Sequence, residues 1–412
     1  MGITDALIRI GESYAQSIPL PLERVFEVYA RLAKAHVKRE WHKQASDELA
    51  NYGALTKAAL NSVNKRFSGN IKARILTFGG ELAMSTVADY VLRSNGLDSC
   101  RVSLKEWPIV TDDDFEDAMP NYELSRKRIH TLIEPLEDGK ILCLAGFLGV
   151  TPDGLETVLG RGGSDLTAVF VSCLLKDLYK TETLLYKDVP VQSADPKVVP
   201  GQKTEHVKAL TYNEAHKASM MGMKIVQSPA IAMARRFAQP LRIVPIDEPE
   251  MYSVIQAKTS GEEIVKCLTG KSGCAILSIN DEKSHSLEDS LRIWERRNDF
   301  IDLGAETMET GERIRDFLFL DADFLRRNEE KLKGFDEEMK IEYGLGVVTL
   351  IGDRMKDSPG VASLAVSSTS GINIKRGVFA PHTSQIILVV EEKNVNAMVA
   401  AIHKKKLQLN RL

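Results

Sequence analysis

Two glycine-rich stretches hold the residues best suited to chemistry. The first is Gly146-Phe147-Leu148-Gly149, and the second runs Thr157-Val158-Leu159-Gly160-Arg161-Gly162-Gly163-Ser164-Asp165-Leu166-Thr167-Ala168. In the second, glycines flank an arginine directly before a segment with helical spacing. A glycine turn that runs into a helix start presents backbone N–H groups and the positive end of the helix dipole, which suits an anion. Arg161 adds a planar fork able to hold a carboxylate through two hydrogen bonds. Ser164 or Asp165 is placed to cap the helix. The plainer reading of the same residues is a capped helix after a glycine turn, with no ligand.

The elements that must position these residues follow from apolar spacing. Residues 1–66 read as helical, with an amphipathic run from Leu20 through Tyr29 to His36. Ile71 to Tyr90 also reads as helix, around Gly79-Gly80-Glu81. The apolar run 141–147 has the character of a buried strand, and Asp165 to Tyr179 returns to helical spacing. Leu184-Leu185-Tyr186 and Leu241 to Pro245 are further strands. Alternating strands and helices predict an α/β fold, a mostly parallel central sheet in a three-layer arrangement. After about residue 250 the pattern changes: strand 274–279, helix 287–300, strand 347–351, helix 360–368, strand 372–374, strand 385–390 and helix 395–405. The last part has the β-α-β-β-α order of a ferredoxin-like module, and the part before it reads as a second, divergent copy.

Composition excludes several classes. Lys plus Arg is 54 against 57 Asp plus Glu, a net charge of −3, so the clustered positive excess of a nucleic-acid binder is absent. Lys404-Lys405-Lys406 reads as a solvated helix end. There is no apolar run long enough to span a membrane and no basic-then-apolar leader before Glu23, so no membrane partner is expected. The five cysteines, Cys100, Cys143, Cys173, Cys267 and Cys274, are scattered and lack C-x-x-C spacing, which fits reduced thiols in a cytoplasm. Cys143 and Cys173 lie in apolar runs and read as core. His130, His216 and His382 have no metal-like spacing, and no metal ligand set is expected.

The string Leu159-Gly160-Arg161-Gly162-Gly163-Ser164-Asp165-Leu166-Thr167-Ala168, behind Gly146-Phe147-Leu148-Gly149, resembles the signature of the aspartate kinases in the amino acid kinase family. Other segments resemble that family in the same order along the chain. Phe78-Gly79-Gly80-Glu81 is similar to its Gly-Glu helix start. Tyr186 to Pro190 and Ser193 to Pro200 are similar to its nucleotide-side loops, and Met221-Gly222-Met223-Lys224 to its phosphate-side lysine turn. Asp357-Ser-Pro-Gly-Val-Ala362 and Ser370-Gly-Ile-Asn-Ile374 resemble an ACT domain, the ferredoxin-like regulatory module.

The resemblance implies transfer of the ATP γ-phosphoryl group to the β-carboxylate of L-aspartate, giving 4-phospho-L-aspartate, with ATP and Mg2+ required. It implies that Arg161 clamps the α-carboxylate, that Glu81 takes the amino group, and that Phe147, Gly163, Ser164 and Asp165 line the pocket. Arg161, Asp165 and Lys224 would be catalytic. Lys224 would reach the phosphates, while Lys187, Asp188, Asp195, Pro196 and Lys197 would hold the nucleotide. Asn373 and Ile374 lie where ACT domains meet an effector, here lysine or threonine, and ACT pairing implies a homodimer. The implied boundaries are a kinase domain over 1–250, a divergent ACT-like module over 265–335 and an ACT module over 340–412.

The sequence also departs from the family. Aspartate kinases open on a strand leading into Lys-Phe-Gly-Gly, whereas this chain opens Met1-Gly2-Ile3-Thr4-Asp5-Ala6-Leu7. Those residues resemble the later Gly-x-Thr turn, which makes Thr4 a substrate-side candidate. The difference amounts to about one βαβ unit, ~30 residues. Loss of a cation at the reacting phosphate costs ~10²–10³ in rate. Two alternatives therefore stand beside the kinase: an amino-acid-sensing or regulatory relative with impaired catalysis, and a kinase of the same superfamily with another acid substrate.

Overall fold

The structure is a computed structural model that describes residues 2–160, 162–259, 263–294, 300–368, 371–380 and 384–409. The chain divides into two compact units, Met1–Thr183 and Leu184–Leu412. Among the described residues no helix is long and apolar enough to cross a membrane.

The first unit opens with α1 (Ile3–Ala15), α2 (Glu23–His36) and α3 (Arg39–Asn61). Pro19 and Pro21 break the chain between α1 and α2, because proline removes a helix donor and fixes φ. Val25, Tyr29 and Ala33 recur one turn apart on α2 and turn that face inward. They meet Leu7, Ile10, Leu49, Leu60, Ile75 and Val87 in a single core. Next come α4 (Gly69–Leu76), a π-helical turn (Thr77–Leu82) and α5 (Ala83–Ser94). The expected helix start at Gly80-Glu81 is thus a widened turn inside one long helix. Strand β1 (Ser99–Cys100), helices α6 (Tyr122–Arg126) and α7 (His130–Glu137), strands β2 (Ile141–Leu142), β3 (Leu148–Val150) and β4 (Glu156–Val158), and helix α8 (Gly163–Leu175) complete the unit. β1 and β2 are parallel, and β3 and β4 are antiparallel. The strand expected over 141–147 stops at Leu142, because Gly146 and Phe147 turn the chain instead. Cys173 is buried as expected, whereas Cys143 is only half-buried.

In the second unit, β5 (Thr183–Lys187, its first residue in unit one), β6 (Ala209–Thr211), α9 (Tyr212–Met220), α10 (Ser228–Arg236), β7 (Leu241–Pro245) and β8 (Ser253–Gln256) build a four-stranded sheet in the order β5-β7-β8-β6. The chain continues through β9 (Cys267–Asn280), α11 (Asp281–Trp294), β10 (Phe300–Thr307), β11 (Arg313–Phe319), α12 (Ala322–Lys333), β12 (Lys340–Ile351), α13 (Val361–Ser367), β13 (Arg376–Ala380), β14 (Gln385–Glu391) and α14 (Val395–Leu409). Its six strands lie in the order β10-β11-β9-β12-β14-β13. That order is two ferredoxin-like sheets joined through long central strands. Residues 267–271 of β9 pair with 347–351 of β12, and 274–278 pair with 340–345 across bulges. Each half therefore borrows a strand from the other. The strand expected at 372–374 lies instead at Arg376–Ala380, while Ile372 and Ile374 pack against the core of the second half.

In the lysine run Lys404 is exposed, as a solvated helix end requires, but Lys406 corrects that reading. Lys406 is 1 % exposed, and its Nζ bonds the Lys266 carbonyl at 3.1 Å and faces Glu205 at 3.4 Å. Lys266 is itself buried, 2.8 Å from the carboxylate of Glu214, which is fully buried. That carboxylate also accepts from the backbone N–H groups of Thr211 and Asp353, so it binds α9 to β6 and to the end of β12. Removing one partner of a buried pair leaves an uncompensated charge. Lys266→Met is expected to lower unfolding stability by about 3–5 kcal/mol. Urea unfolding reads it against Lys393→Met, which breaks an exposed pair with Glu391 and should leave the midpoint in place.

Candidate functional site

The two glycine-rich stretches meet in the first unit. A Cβ on Gly146 would lie 3.0 Å from the Ser164 side chain, and one on Gly163 would lie 2.7 Å from the Phe147 ring, so both glycines permit the contact. Phe147 holds a φ of 67°, a left-handed conformation that a bulky side chain rarely adopts. Two hydrogen bonds hold it there: its N–H donates to Thr167 Oγ1 at 3.0 Å, and its carbonyl accepts from the Leu159 N–H at 2.9 Å. Strain of this kind, of order 1–3 kcal/mol, persists where surroundings over-determine it, and such residues cluster at functional sites.

Helix α8 starts differently from expectation. Its N-cap is Gly162, left-handed at φ 77°, and no side chain caps it. Ser164 and Asp165 already lie in the first turn, where Asp165 favours the helix dipole and Ser164 is exposed. The reason is geometric: Gly160 and Gly162 both take positive φ, so the chain enters the helix through backbone alone. Arg161 lies outside the described residues.

Glu81 sits on the π turn between α4 and α5. It is half-buried, and among the described residues its carboxylate has no hydrogen-bond or ion-pair partner. Burial pushes its pKa above the usual carboxylate range. The turn is packed tightly. A Cβ on Gly79 would come within 2.8 Å of Leu7 and 3.2 Å of Thr56. Leu7 lies on α1 one turn beyond Thr4, which is exposed in the first turn of α1 and not in a separate turn. β4 runs beside the same segment, where Asn70 Nδ2 donates to the Glu156 carbonyl at 2.9 Å. The Phe147 ring packs on the core that holds Leu7, Leu76, Ala83 and Val158. Within the first unit, Thr4 and Glu81 thus lie on segments whose neighbours build this core, while Gly163 and Ser164 lie against the Gly146–Phe147 turn, with Asp165 in the same helical turn.

The remaining candidates lie in the second unit. Lys187 ends β5, and its carbonyl accepts from the Ile246 N–H at 3.0 Å; Asp188 is exposed just beyond. Asp195 Oδ1 accepts from the Lys197 N–H at 2.8 Å, and the Asp195 carbonyl accepts from Val198 and Val199. This is the turn-forming role that Asp-Pro sequences favour, with Pro196 and Lys197 exposed. Lys224 is exposed in the turn between α9 and α10. That turn rests on β9: Thr269 Oγ1 donates to the Met221 carbonyl at 2.9 Å, and a Cβ on Gly222 would lie 3.0 Å from the Gly270 carbonyl. Asn373 is exposed and Ile374 half-buried ahead of β13. His216 Nδ1 pairs with Ser228 Oγ at 2.9 Å, His130 is exposed, and His382 lies outside the described residues.

Sequence reading missed two residues here. Thr167, inside the glycine string, anchors Phe147. Tyr29, 2 % exposed on α2, bonds the π turn. Nothing local to Tyr29 marks a target fifty positions away.

A strained turn packed against a glycine-entered helix start is an arrangement suited to a small anion. A model of the "Amino acid kinase family" matches residues 14–245, more than half of the chain, and the chain belongs to that family. Among curated relatives, it is 27% identical to Aspartokinase 2 of Bacillus subtilis over 369 residues, 87% of this chain and 86% of that protein. It is 25% identical to the aspartokinase of Geobacillus stearothermophilus over 370 residues, 88% of this chain and 86% of that protein. Among solved structures, E. coli aspartokinase III in complex with aspartate and ADP (R-state) superposes with a TM-score of 0.78 at 19% identity, covering 98% of this chain and 90% of that one. The same protein in complex with lysine and aspartate (T-state) gives 0.70 over the same shares. These neighbours share the fold, a mixed α/β kinase domain followed by a regulatory region of ferredoxin-like modules.

The state of Glu81 has a measurable consequence. Its raised pKa means that the neutral carboxyl is favoured in the folded chain. The stability this contributes is present below the ordinary glutamate value and is lost as pH rises through the raised one. Glu81→Gln is therefore expected to raise the Tm of the free protein at pH 7.5. The gain should shrink to nothing near pH 4, about the unperturbed value, in scanning fluorimetry across pH.

Proposed function

We propose that the chain is an aspartate kinase, transferring the γ-phosphoryl group of ATP to the β-carboxylate of L-aspartate to give 4-phospho-L-aspartate. One observation carries this reading: a half-buried carboxylate, Glu81, without a cation among the described residues, in the unit that also holds a glycine-entered helix start. An α-amino acid needs this pairing. Its ammonium offsets the desolvated carboxylate, and its carboxylate finds backbone N–H groups and the positive end of α8. Arg161 supplies the bidentate clamp for the α-carboxylate in this proposal, and Thr4, Phe147, Gly163, Ser164 and Asp165 bound the pocket.

The acceptor chemistry is light. A carboxylate is already a nucleophile at neutral pH, so no general base is required. Catalysis reduces to positioning and to neutralising phosphate charge. Lys224 and Lys187 supply cations for that, with Asp188 and the Asp195-Pro196-Lys197 turn beside the nucleotide. Mg2+ would accompany ATP and add to the neutralisation of phosphate charge. Among the described residues no group of three or more His, Cys, Asp or Glu side chains is gathered to hold a metal by itself. We assign kinase function to residues 1–250. Regulation by lysine or threonine belongs to the modules over 265–335 and 340–412, with Asn373 and Ile374 beside the effector, in a cytoplasmic homodimer paired through those modules.

Incubation with Mg·ATP and L-aspartate, with hydroxylamine trapping the acyl phosphate, tests the activity. ADP and aspartyl hydroxamate are expected in equal amounts. Lys224→Ala should lower kcat/KM for ATP by about 10²-fold, the loss typical of one charge-stabilising group. ADP release that depends on a different amino or carboxylic acid, with none for aspartate, would transfer the site to the alternative acid substrate. Binding of amino acids without any turnover would assign the sensor role.

A further inference from the structure

We propose that Tyr29 is a positioning residue for the amino-acid substrate, holding the π turn in the shape that aims Glu81; the inference rests on the reading of Glu81 given above. Tyr29 lies on α2, about fifty positions before the turn, and its hydroxyl bonds the carbonyls of Gly79 at 2.9 Å and Gly80 at 3.0 Å. One O–H is shared between both acceptors. In a regular α-helix these carbonyls would accept from N–H groups four residues on. The π turn shifts that ladder, and the Gly80 carbonyl accepts from the Ala83 N–H, three residues on. Tyr29 adds a side-chain donor at the two positions that immediately precede Glu81.

The other side of the turn is fixed by packing. Leu7 and Thr56 lie so close to Gly79 that a Cβ there would force the Leu7 side chain to shift. The turn is thus held between α1 and α3 on one side and the Tyr29 hydroxyl on the other. Tyr29 is also close enough to feel Glu81: burial, then the Glu81 charge, push the phenol well above its ordinary range, so it remains a donor at any working pH. The ring alone could serve the core, since Phe26 packs edge-on against it at 5.7 Å. A core-filling role needs no hydroxyl, whereas the hydroxyl reaches the backbone on either side of the Gly79–Gly80 peptide and no further.

Tyr29→Phe separates the two roles, because it keeps the ring and removes the donor. The expected result is a rise of about tenfold in KM for L-aspartate, the size of one buried hydrogen bond. KM for ATP and kcat should stay within about twofold. Phe26→Leu is the packing control: it should lower Tm and leave KM for aspartate unchanged. Calorimetric titration of L-aspartate into wild type and Tyr29→Phe gives the same comparison without turnover. An unchanged aspartate affinity in Tyr29→Phe, or equal loss for aspartate and ATP, overturns the inference. Glu81→Gln in the same titration tells the two readings apart. If it weakens aspartate binding while Tyr29→Phe does not, only the role of Tyr29 fails. If neither variant changes it, the assignment of Glu81 fails as well.

Discussion

A carboxylate drawn away from water is costly, and the first unit holds one, Glu81, with no cation beside it among the described residues. Glu81 lies where a helix widens for six residues, and Gly79 in that turn lets Leu7 of α1 and Thr56 of α3 pack close. Desolvation then favours whichever partner restores a charge balance: a proton at low pH, or an ammonium group at neutral pH. The start of α8, in the same unit, has the opposite character, with glycine entry and the positive end of a helix dipole. A zwitterion answers both demands. A monoanion such as phosphate satisfies only one of them.

The second unit imposes a different constraint. The turn that carries Lys224 leans on β9, through Met221, Gly222, Thr269 and Gly270. β9 is also the strand that both ferredoxin-like halves share. The buried Glu214–Lys266 pair ties the same helix, α9, to the residues just before β9, and Asp353 caps the arrangement by bonding Thr211 and Asn213. The α9–α10 turn and the ferredoxin-like sheet are in this way packed together within the unit, not two beads on a linker.

Much of this was legible in the residues themselves. Helical spacing located α1 to α3, α8 and α14, and the glycine string with its ordered companions identified the family. What escaped was set by tertiary partners. Glu81 reads as a helix start through the resemblance of Phe78-Gly79-Gly80-Glu81 to the family's Gly-Glu segment, whereas the structure has a π turn there, packed at Gly79 against Leu7 and Thr56. Ser164 and Asp165 read as caps because of their type, but positive φ at Gly160 and Gly162 moves the cap upstream. Lys406 reads as solvated in a run of lysines, yet its Nζ finds a carbonyl 140 positions away. Tyr29 shows spacing for burial and nothing of where its hydroxyl points. The borrowed strands of β9 and β12 are invisible to local pattern, because a long strand and two short ones share the same alternation.

The ionisation of Glu81 tests the account most directly. A 13C-detected titration of its side-chain carboxyl follows the group in the free chain and with saturating L-aspartate. The account predicts a midpoint above the ordinary glutamate value in the free protein, falling when the amino acid binds, because the ammonium then stabilises the charged form. A midpoint at the ordinary value, or one that L-aspartate leaves in place, would contradict it.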